Sequence, residues 1–156
     1  MLTKIVSGGQ TGVDRAALDL ALELGFPCGG WCPKGRKAED GPLPPHYPLI
    51  ETLTDNYAER TRWNVRGSDG TLLLVRGPLT GGSKLTADVA VRERKPVLVF
   101  DLRDDGGPDA IRLWLELHSI QVLNVAGPRE SGAPGIYEEA KALLRQVLGK
   151  PGTLAP

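Results

Sequence analysis

The first part of the chain is a short apolar run that passes through a glycine-rich turn into a helical pattern. Segment 4–24 has strand length at its start, turns at Gly8, Gly9 and Gly12, and continues in a run rich in Ala and Leu. Apolar residues in that run recur at helical spacing, which predicts a helix packed on a sheet. A strand, a glycine turn and a helix in this order predict an α/β fold.

The same turn has the chemistry of an anion site. Glycines let the backbone approach a ligand closely, and the first amides of a helix lack internal partners. The helix dipole favours a phosphate or another oxyanion there, and Gln10 and Thr11 can add hydrogen bonds. On this basis we expect Gly9→Val to abolish binding and leave the fold intact. The alternative is a tight turn that binds nothing.

Two well-known glycine motifs do not fit this turn. The glycines are spaced G-G-x-x-G, which differs from the G-x-G-x-x-G of nicotinamide-binding sites, and no Gly-Lys-Ser/Thr follows as in a Walker loop. The spacing therefore favours neither a dinucleotide nor a P-loop nucleotide triphosphate.

Length and charge exclude several classes of protein. The 156 residues suffice for one domain, and 19 Lys and Arg balance 19 Asp and Glu. A balanced charge gives no reason to expect a nucleic acid or an anionic membrane as partner. No apolar run is long enough to span a bilayer and no secretory signal is visible, so we expect a cytoplasmic protein.

Strand and helix patterns alternate along the rest of the chain. We predict strands at 71–75, 96–100 and 120–125, and helices at 56–66 (capped by Asp55), 84–94, 108–118 and 136–148. The unbroken apolar runs at 71–75 and 96–100 indicate buried strands of a parallel sheet. A turn is expected at 104–108. The pattern predicts one Rossmann-like three-layer α/β/α domain at 1–149 with a mostly parallel sheet, followed by a flexible tail at 150–156.

Three glycine-containing segments follow predicted strands, at 8–12, 77–83 and 124–130. Ligands of such sheets bind outside the carboxyl ends of the strands, so we expect the three segments to meet at one edge. Their polar and glycine residues are candidates for one pocket: Gly81, Gly82, Ser83, Asn124, Gly127 and Arg129.

Charged residues near the first turn and in the long loop 32–49 offer further contacts. Asp14 is favourably placed near a helix N-terminus, whereas Arg15 there suggests a nearby anion. We expect Arg15, Lys34, Arg36 and Arg129 to form one positive rim around a phosphate. The alternatives are a salt bridge from Arg15 to Asp14 or Glu39, and an exposed loop whose acids neutralise its bases.

Two other groups are less specific. Arg60 and Asn64 lie one helical turn apart and can act together. Cys28 and Cys32 have a C-x3-C spacing that fits neither a thioredoxin pair nor half a zinc ribbon. A thiolate suits a soft metal, although a small buried residue is the commoner role of cysteine. We predict no catalytic residue and no protein metal site.

Long blocks of the sequence resemble the family of molybdenum (molybdenum-cofactor) carrier proteins. The blocks are SGGQTGVDRAAL at 7–18, GGWCPKGR at 29–36, AEDG at 38–41, 60–65, SDGT at 68–71, GGS at 81–83 and NVAGPRES at 124–131. This family is part of a Rossmann-like group that is similar to the lysine-decarboxylase-like phosphoribohydrolases and to the DNA-processing protein DprA. The resemblance implies a phosphorylated pterin or a nucleotide-like ligand at the glycine loops.

Two functions of different classes remain. The first is a carrier of molybdenum cofactor (molybdopterin) or of another phosphate-bearing ligand, which we favour, and which we expect to be a homo-oligomer. The second is a phosphoribohydrolase-like enzyme that splits an N-glycosidic bond. The related hydrolases resemble this chain in Gly81-Gly82, but it lacks their Glu, and Asp88 lies too far along the helix. Asp14, Glu39 or Asp40 could serve in place of that Glu. A nucleotide sensor without catalysis would use the same pocket.

The candidate binding residues are Gly8, Gly9, Gln10, Thr11, Gly12, Asp14, Arg15, Lys34, Gly35, Arg36, Glu39, Arg60, Asn64, Gly81, Gly82, Ser83, Asn124, Gly127 and Arg129.

Overall fold

The computed structural model describes residues 1–103 and 106–149. The strands are β1 (Lys4–Val6), β2 (Cys28–Gly29), β3 (Trp31–Cys32), β4 (Ile50–Glu51), β5 (Gly70–Val75), β6 (Val97–Asp101) and β7 (Val122–Ala126). The helices are α1 (Val13–Glu23), α2 (Tyr57–Arg66), α3 (Gly81–Arg92), α4 (Pro108–Leu117), α5 (Ile136–Leu148) and a 3-10 turn at Glu130–Gly132. None of the helices in these ranges is long and apolar enough to cross a membrane.

Five strands form a parallel sheet in the order β2-β1-β7-β5-β6. Helices α1, α4 and α5 pack on one side, while α2 and α3 pack against each other on the other side. The predicted Rossmann-like three-layer fold is therefore confirmed. Strands β3 and β4 form a separate two-stranded parallel sheet.

The main core lies between the sheet and the layer of α1, α4 and α5. It contains Ile5 of β1, Leu72 and Leu74 of β5, and Leu144 of α5, all fully buried. Each such side chain contributes ~1.5–3 kcal/mol of burial free energy. A second cluster packs the long loop on α1 through Leu18, Cys32, Ala38, Leu43, Tyr47 and Leu49.

Strand β5 is buried along its whole length, as its apolar run predicts. The same prediction is wrong for β6, which is an edge strand on which Val99 is 43 % exposed. A continuous apolar run identifies a strand of a parallel sheet but does not distinguish the centre of the sheet from its edge, since both are flanked by helices.

The predicted element bounds differ from the structure mainly at their ends. Helix α5 has the predicted bounds, whereas α3 begins at Gly81, inside the predicted glycine turn. The cap of α2 is Asn56, whose side chain accepts from Ala58 N–H, so the assignment of the cap to Asp55 is wrong by one residue. Two predictions concern positions outside the described residues. They are Asp104 and Asp105 of the predicted turn, and the predicted tail at 150–156.

Gly9 contacts the long loop. Its φ is 80°, and a Cβ added there would lie 2.5 Å from Leu43 Cδ1 and 2.8 Å from Leu49 Cδ1. This geometry argues against the expectation that Gly9→Val costs little of the fold, because the valine would strain the backbone and press on the two leucine side chains.

Gly9→Val should destabilise the protein more than Gly35→Val. Gly35 has a similar φ of 83°, but a Cβ there would have no atom within 4 Å. Both substitutions carry ~1–3 kcal/mol of backbone strain, and Gly9→Val adds ~1–3 kcal/mol of overpacking. Urea unfolding of both variants measures the difference, and equal free energies of unfolding would contradict this assignment of Gly9.

Candidate functional site

A cavity of about 300 Å³ lies at the carboxyl ends of β1, β7 and β5. The three glycine segments that follow these strands all contribute to its wall, which confirms that they converge at one edge. Most of the predicted residues line it, namely Gly8, Gln10, Asp14, Arg60, Asn64, Gly81, Gly82, Ser83, Asn124, Gly127 and Arg129. Its size is at the lower end of small-molecule pockets.

A buried ion pair forms part of the cavity wall. Asp14 is in the first turn of α1, and Arg60 on α2 donates from Nη1 to its Oδ2 at 2.8 Å. The side chains of Asp14 and Arg60 are 4 % and 13 % exposed. Burial raises the pKa of Asp14. The charge and hydrogen bond of Arg60 and the backbone N–H of Gln10 lower this pKa.

Gly8 makes room for this ion pair. A Cβ at Gly8 would lie 1.7 Å from Arg60 Nη1, so any side chain would collide with the guanidinium. The carboxylate of Asp14 thus lies near the positive end of α1. The helix that follows the glycine turn 8–12, where the sequence predicts a phosphate, carries an anion of the protein in its first turn.

Gln10 is held in one orientation by the backbone. Its Oε1 accepts from Thr11 N–H at 3.0 Å and from Glu39 N–H at 2.8 Å. Its Nε2 therefore has to be the donor end of the side chain, and this buried atom has no hydrogen-bond partner. The residue is 5 % exposed and lines the cavity, but Nε2 itself is enclosed within the wall.

The N-terminus of α3 also opens into the cavity. Thr80, Gly81, Gly82 and Ser83 all line it, and Ser83 is 7 % exposed. Thr80 makes no side-chain capping bond, and the first turn carries no acidic residue. A Cβ at Gly81 or Gly82 would have no atom within 4 Å, so no other part of the protein packs against these two glycines. These amides lack intrahelical partners and form a site for an anion.

Three cations surround the ring of Tyr57. Lys37 Nζ lies 4.7 Å from the ring centroid, and the guanidinium carbons of Arg60 and Arg129 lie at 5.3 and 5.5 Å. Arg129 also makes a long ion pair of 3.8 Å with Glu39. Tyr57 also lines the cavity, and the sequence analysis did not include it among the candidate residues. Its helical spacing, which places it on the same side of α2 as Arg60, could have identified it.

Two asparagines at the cavity use their amides for structure. Asn64 accepts from Trp31 N–H at 2.8 Å and donates to Trp31 O at 3.0 Å, which fastens α2 to β3. Asn124 donates from Nδ2 to Thr71 Oγ1 at 3.2 Å across neighbouring strands. Both residues line the cavity.

Three residues of the predicted positive rim, Arg15, Lys34 and Arg36, are not among the residues that line this cavity. Arg15 pairs with Asp40 at 2.6 Å and donates to Gly9 O, so both predicted salt-bridge partners are wrong. Arg36 donates to the carbonyl oxygens of four loop residues and organises the loop. Within the described part of the chain, the candidates outside the cavity wall are Gly9, Thr11, Gly12, Arg15, Lys34, Gly35, Arg36 and Glu39.

Close backbone packing accounts for two more glycines. A Cβ at Gly12 would lie 2.3 Å from Pro128 O, and one at Gly127 would lie 2.3 Å from Leu74 O. Thr11 Oγ1 accepts from Glu130 N–H at 3.1 Å and donates to Glu39. These contacts join the turn after β1 to the segment after β7 and thereby fix the shape of the cavity.

A second cavity of about 370 Å³ lies on the other side of the α1 turn. Tyr47 and Tyr137 line it, and both hydroxyls donate to Asp19. Burial and the neighbouring carboxylate raise the pKa of both tyrosines. The two tyrosine hydroxyls and the Asp19 carboxylate at this cavity thus hydrogen-bond to one another.

The cysteines lie apart from the main cavity wall. Cys32 is fully buried in the loop cluster and Cys28 is partly buried in β2. Burial raises the pKa of both thiols, which disfavours a thiolate. Among the described residues, no group of three or more His, Cys, Asp and Glu is arranged to hold a metal ion.

Comparisons with known proteins agree with the fold. A search of curated proteins gives no significant match. The crystal structure of "Putative molybdenum carrier protein" from Syntrophus aciditrophicus SB is 50 % identical and superposes with a TM-score of 0.91, covering 94 % of this chain and 95 % of its own. This match confirms the resemblance noted in the sequence.

A structure of (E)-4-hydroxy-3-methyl-but-2-enyl diphosphate reductase is 9 % identical with a TM-score of 0.40, and the match covers 93 % of this chain and 59 % of that one. A similarity this low carries no functional argument. A family model matches residues 5–148, nearly the whole described chain. The chain belongs to the circularly permutated YpsA SLOG family.

Proposed function

We propose that the protein binds and carries a small phosphorylated ligand, with the phosphate at the N-terminus of α3. The observation that carries this proposal is the uncapped first turn of α3, which opens into the cavity with no acidic residue and with open space at Gly82. Ser83 lines the cavity beside these amides and offers a hydroxyl donor. Free amides, a helix dipole and a neutral donor together favour an oxyanion.

Molybdenum cofactor or a related phosphorylated pterin is the ligand that the similarity to the Syntrophus protein favours. Its phosphate suits the amides of α3, and its pterin suits a polar wall that includes Asp14. When bound, the cofactor would supply its own metal chemistry. The residues of this chain would hold and shield its organic part. A nucleotide-like ligand presents the same phosphate and fits the same proposal.

The wider biological setting stays a prediction. We propose that the protein forms a homo-oligomer in the cytoplasm and that it binds small ligands. The balance of 19 basic and 19 acidic residues supports a small ligand over nucleic acid, because nucleic-acid binding usually requires an excess of positive charge.

Gly82→Asp should abolish phosphate binding. The added carboxylate would occupy the open space before the α3 amides, where it would satisfy them and repel phosphate. Titration of inorganic phosphate by calorimetry should show a loss of at least about tenfold in affinity, equivalent to ~1.4 kcal/mol. Gly82→Asn is the matched control of similar size and should retain more of the affinity. Equal affinity in the wild type and in Gly82→Asp would refute the placement of the phosphate.

The hydrolase alternative depends on Asp14. Asp88 pairs with Lys84 on the exposed side of α3, and Asp40 pairs with Arg15 outside the cavity. Among the described residues that line the cavity, Asp14 is the acidic one. A carboxylate near the anomeric carbon is what cleavage of an N-glycosidic bond requires.

Incubation with purine nucleoside 5′-monophosphates distinguishes the two functions. We expect no release of free base during many hours with a stoichiometric amount of protein, measured by chromatography. Base release that is lost in Asp14→Asn and kept in Asp40→Asn would replace the carrier function by the hydrolase function.

A further inference from the structure

We propose that a second copy of this chain docks on the outer edge of the sheet, where β6 pairs antiparallel with β6 of the partner across a two-fold axis. The surface, here called the β6 edge, consists of β6, Val91 of α3, and Leu113 and Leu117 of α4. The proposal rests on the homo-oligomer of the proposed function, to which it assigns an interface. It does not depend on the phosphate site at α3.

Strand β6 has the composition of a central strand and the position of an edge strand. Its first four residues, Val97 to Phe100, are all apolar, yet β6 is the last strand in the order of the sheet. Natural edge strands are usually short or carry charged residues that prevent pairing. The opposite edge of the sheet, β2, follows this rule with only two residues. The apolar edge at β6 is therefore the one suited to a partner.

Half of the backbone groups of β6 point away from the sheet. Pro96 O accepts from a β5 amide at 3.0 Å, and Leu102 N–H donates to a β5 carbonyl at 2.8 Å. Because the backbone groups of successive residues alternate between the two sides of a strand, those of Val97, Val99 and Asp101 face outward. Within the described part of the chain, no strand lies beyond β6 to pair with them.

The layer of α3 presents an apolar side chain at this edge. Val99 is 43 % exposed and shares its face of the sheet with Val97, which packs in a cluster with Val89 of α3 and Val65 of α2. Val91 lies about 200° around α3 from Val89, so it points away from α2. Since α3 covers β5 and β6, that side of the helix is the side of the β6 edge, and Val91 is 66 % exposed there.

The opposite layer presents two leucines at the same edge. Arg112 of α4 donates to Gln146 O of α5, which identifies the side of α4 that faces α5. Leu113 and Leu117 lie about 100–140° further around α4, away from that side. Because α5 lies between α4 and α1, this outer side of α4 is at the β6 edge. The two leucines are 57 % and 72 % exposed.

A second copy of the chain matches this edge in all three layers. About a two-fold axis perpendicular to the sheet at Val99, the outward backbone groups of β6 meet their complements, and α3 and α4 meet the same helices of the partner. The ion pairs of Lys84 with Asp88 and of Arg103 with Asp101 are each neutral, so these groups add no net charge to either copy. Closed two-fold dimers are the commonest soluble homo-oligomers.

Analytical ultracentrifugation of the full chain tests the interface. The wild type should sediment as a dimer. Val99→Lys should raise the dissociation constant of the dimer at least about 100-fold, because the axis brings two like charges together. Ile50→Lys, the same kind of change at an exposed residue of β4, should keep the wild-type dimer. Both variants should bind inorganic phosphate as the wild type does.

Cysteine cross-linking tests the register and does not require Val99→Lys to fold. The axis places Val99 opposite its own copy, with about 5.5 Å between the two Cα atoms, which is within the range of a disulfide. Val99→Cys treated with the thiol oxidant diamide should therefore form a covalent dimer, whereas wild-type protein and Ile50→Cys should not.

A monomeric wild type would overturn this proposal, and so would a folded Val99→Lys variant that keeps the dimer or a Val99→Cys variant that does not cross-link. A dimer with these properties that fails to bind inorganic phosphate would support the interface and would overturn only the phosphate site of the proposed function.

Discussion

The cavity depends on the pairing of β7 between β1 and β5. This pairing places the segments after three parallel strands side by side at one edge of the sheet, although 118 residues separate Val6 from Asn124, its partner in the register. The segments then approach at van der Waals distance, with Gly127 against Leu74 O and Gly12 against Pro128 O. Larger residues at either glycine would separate the segments, so the packing of the backbone determines the shape of the site before any ligand arrives.

Two helix N-termini face this edge, and they are used differently. At α1 the protein places its own anion, the Asp14 carboxylate, and neutralises it with Arg60 from α2, which crosses over Gly8. At α3 it leaves the first turn without an acid or a side-chain cap. A helix N-terminus favours negative charge, and the end without an anion of its own is the one at α3. This difference is the basis of the phosphate site that we propose at α3.

The fold class, the helices and strands, and the convergence of three loops could be predicted from the sequence. The alternation of strand and helix patterns and the glycine turns are local signals in the sequence. Helix α5 has its predicted bounds, and the buried strand β5 begins one residue before its predicted start. The directions of Arg15 and Arg36 were not predictable, since they depend on how the long loop folds onto α1 and which carbonyls it presents. Likewise, nothing local distinguishes Gly9, which faces Leu43, from Gly8, which faces Arg60. The exposure of β6 depends on its place in the strand order, which sequence spacing does not determine.

The central claim is that the protein binds the phosphate of its ligand at the N-terminus of α3. A crystal structure of the protein with ribose 5-phosphate tests it most directly. The account predicts phosphate oxygens about 2.7–3.2 Å from the amide nitrogens of Gly82 or Ser83. A phosphate seated at the α1 turn, or held by Arg15 in the loop, would contradict it.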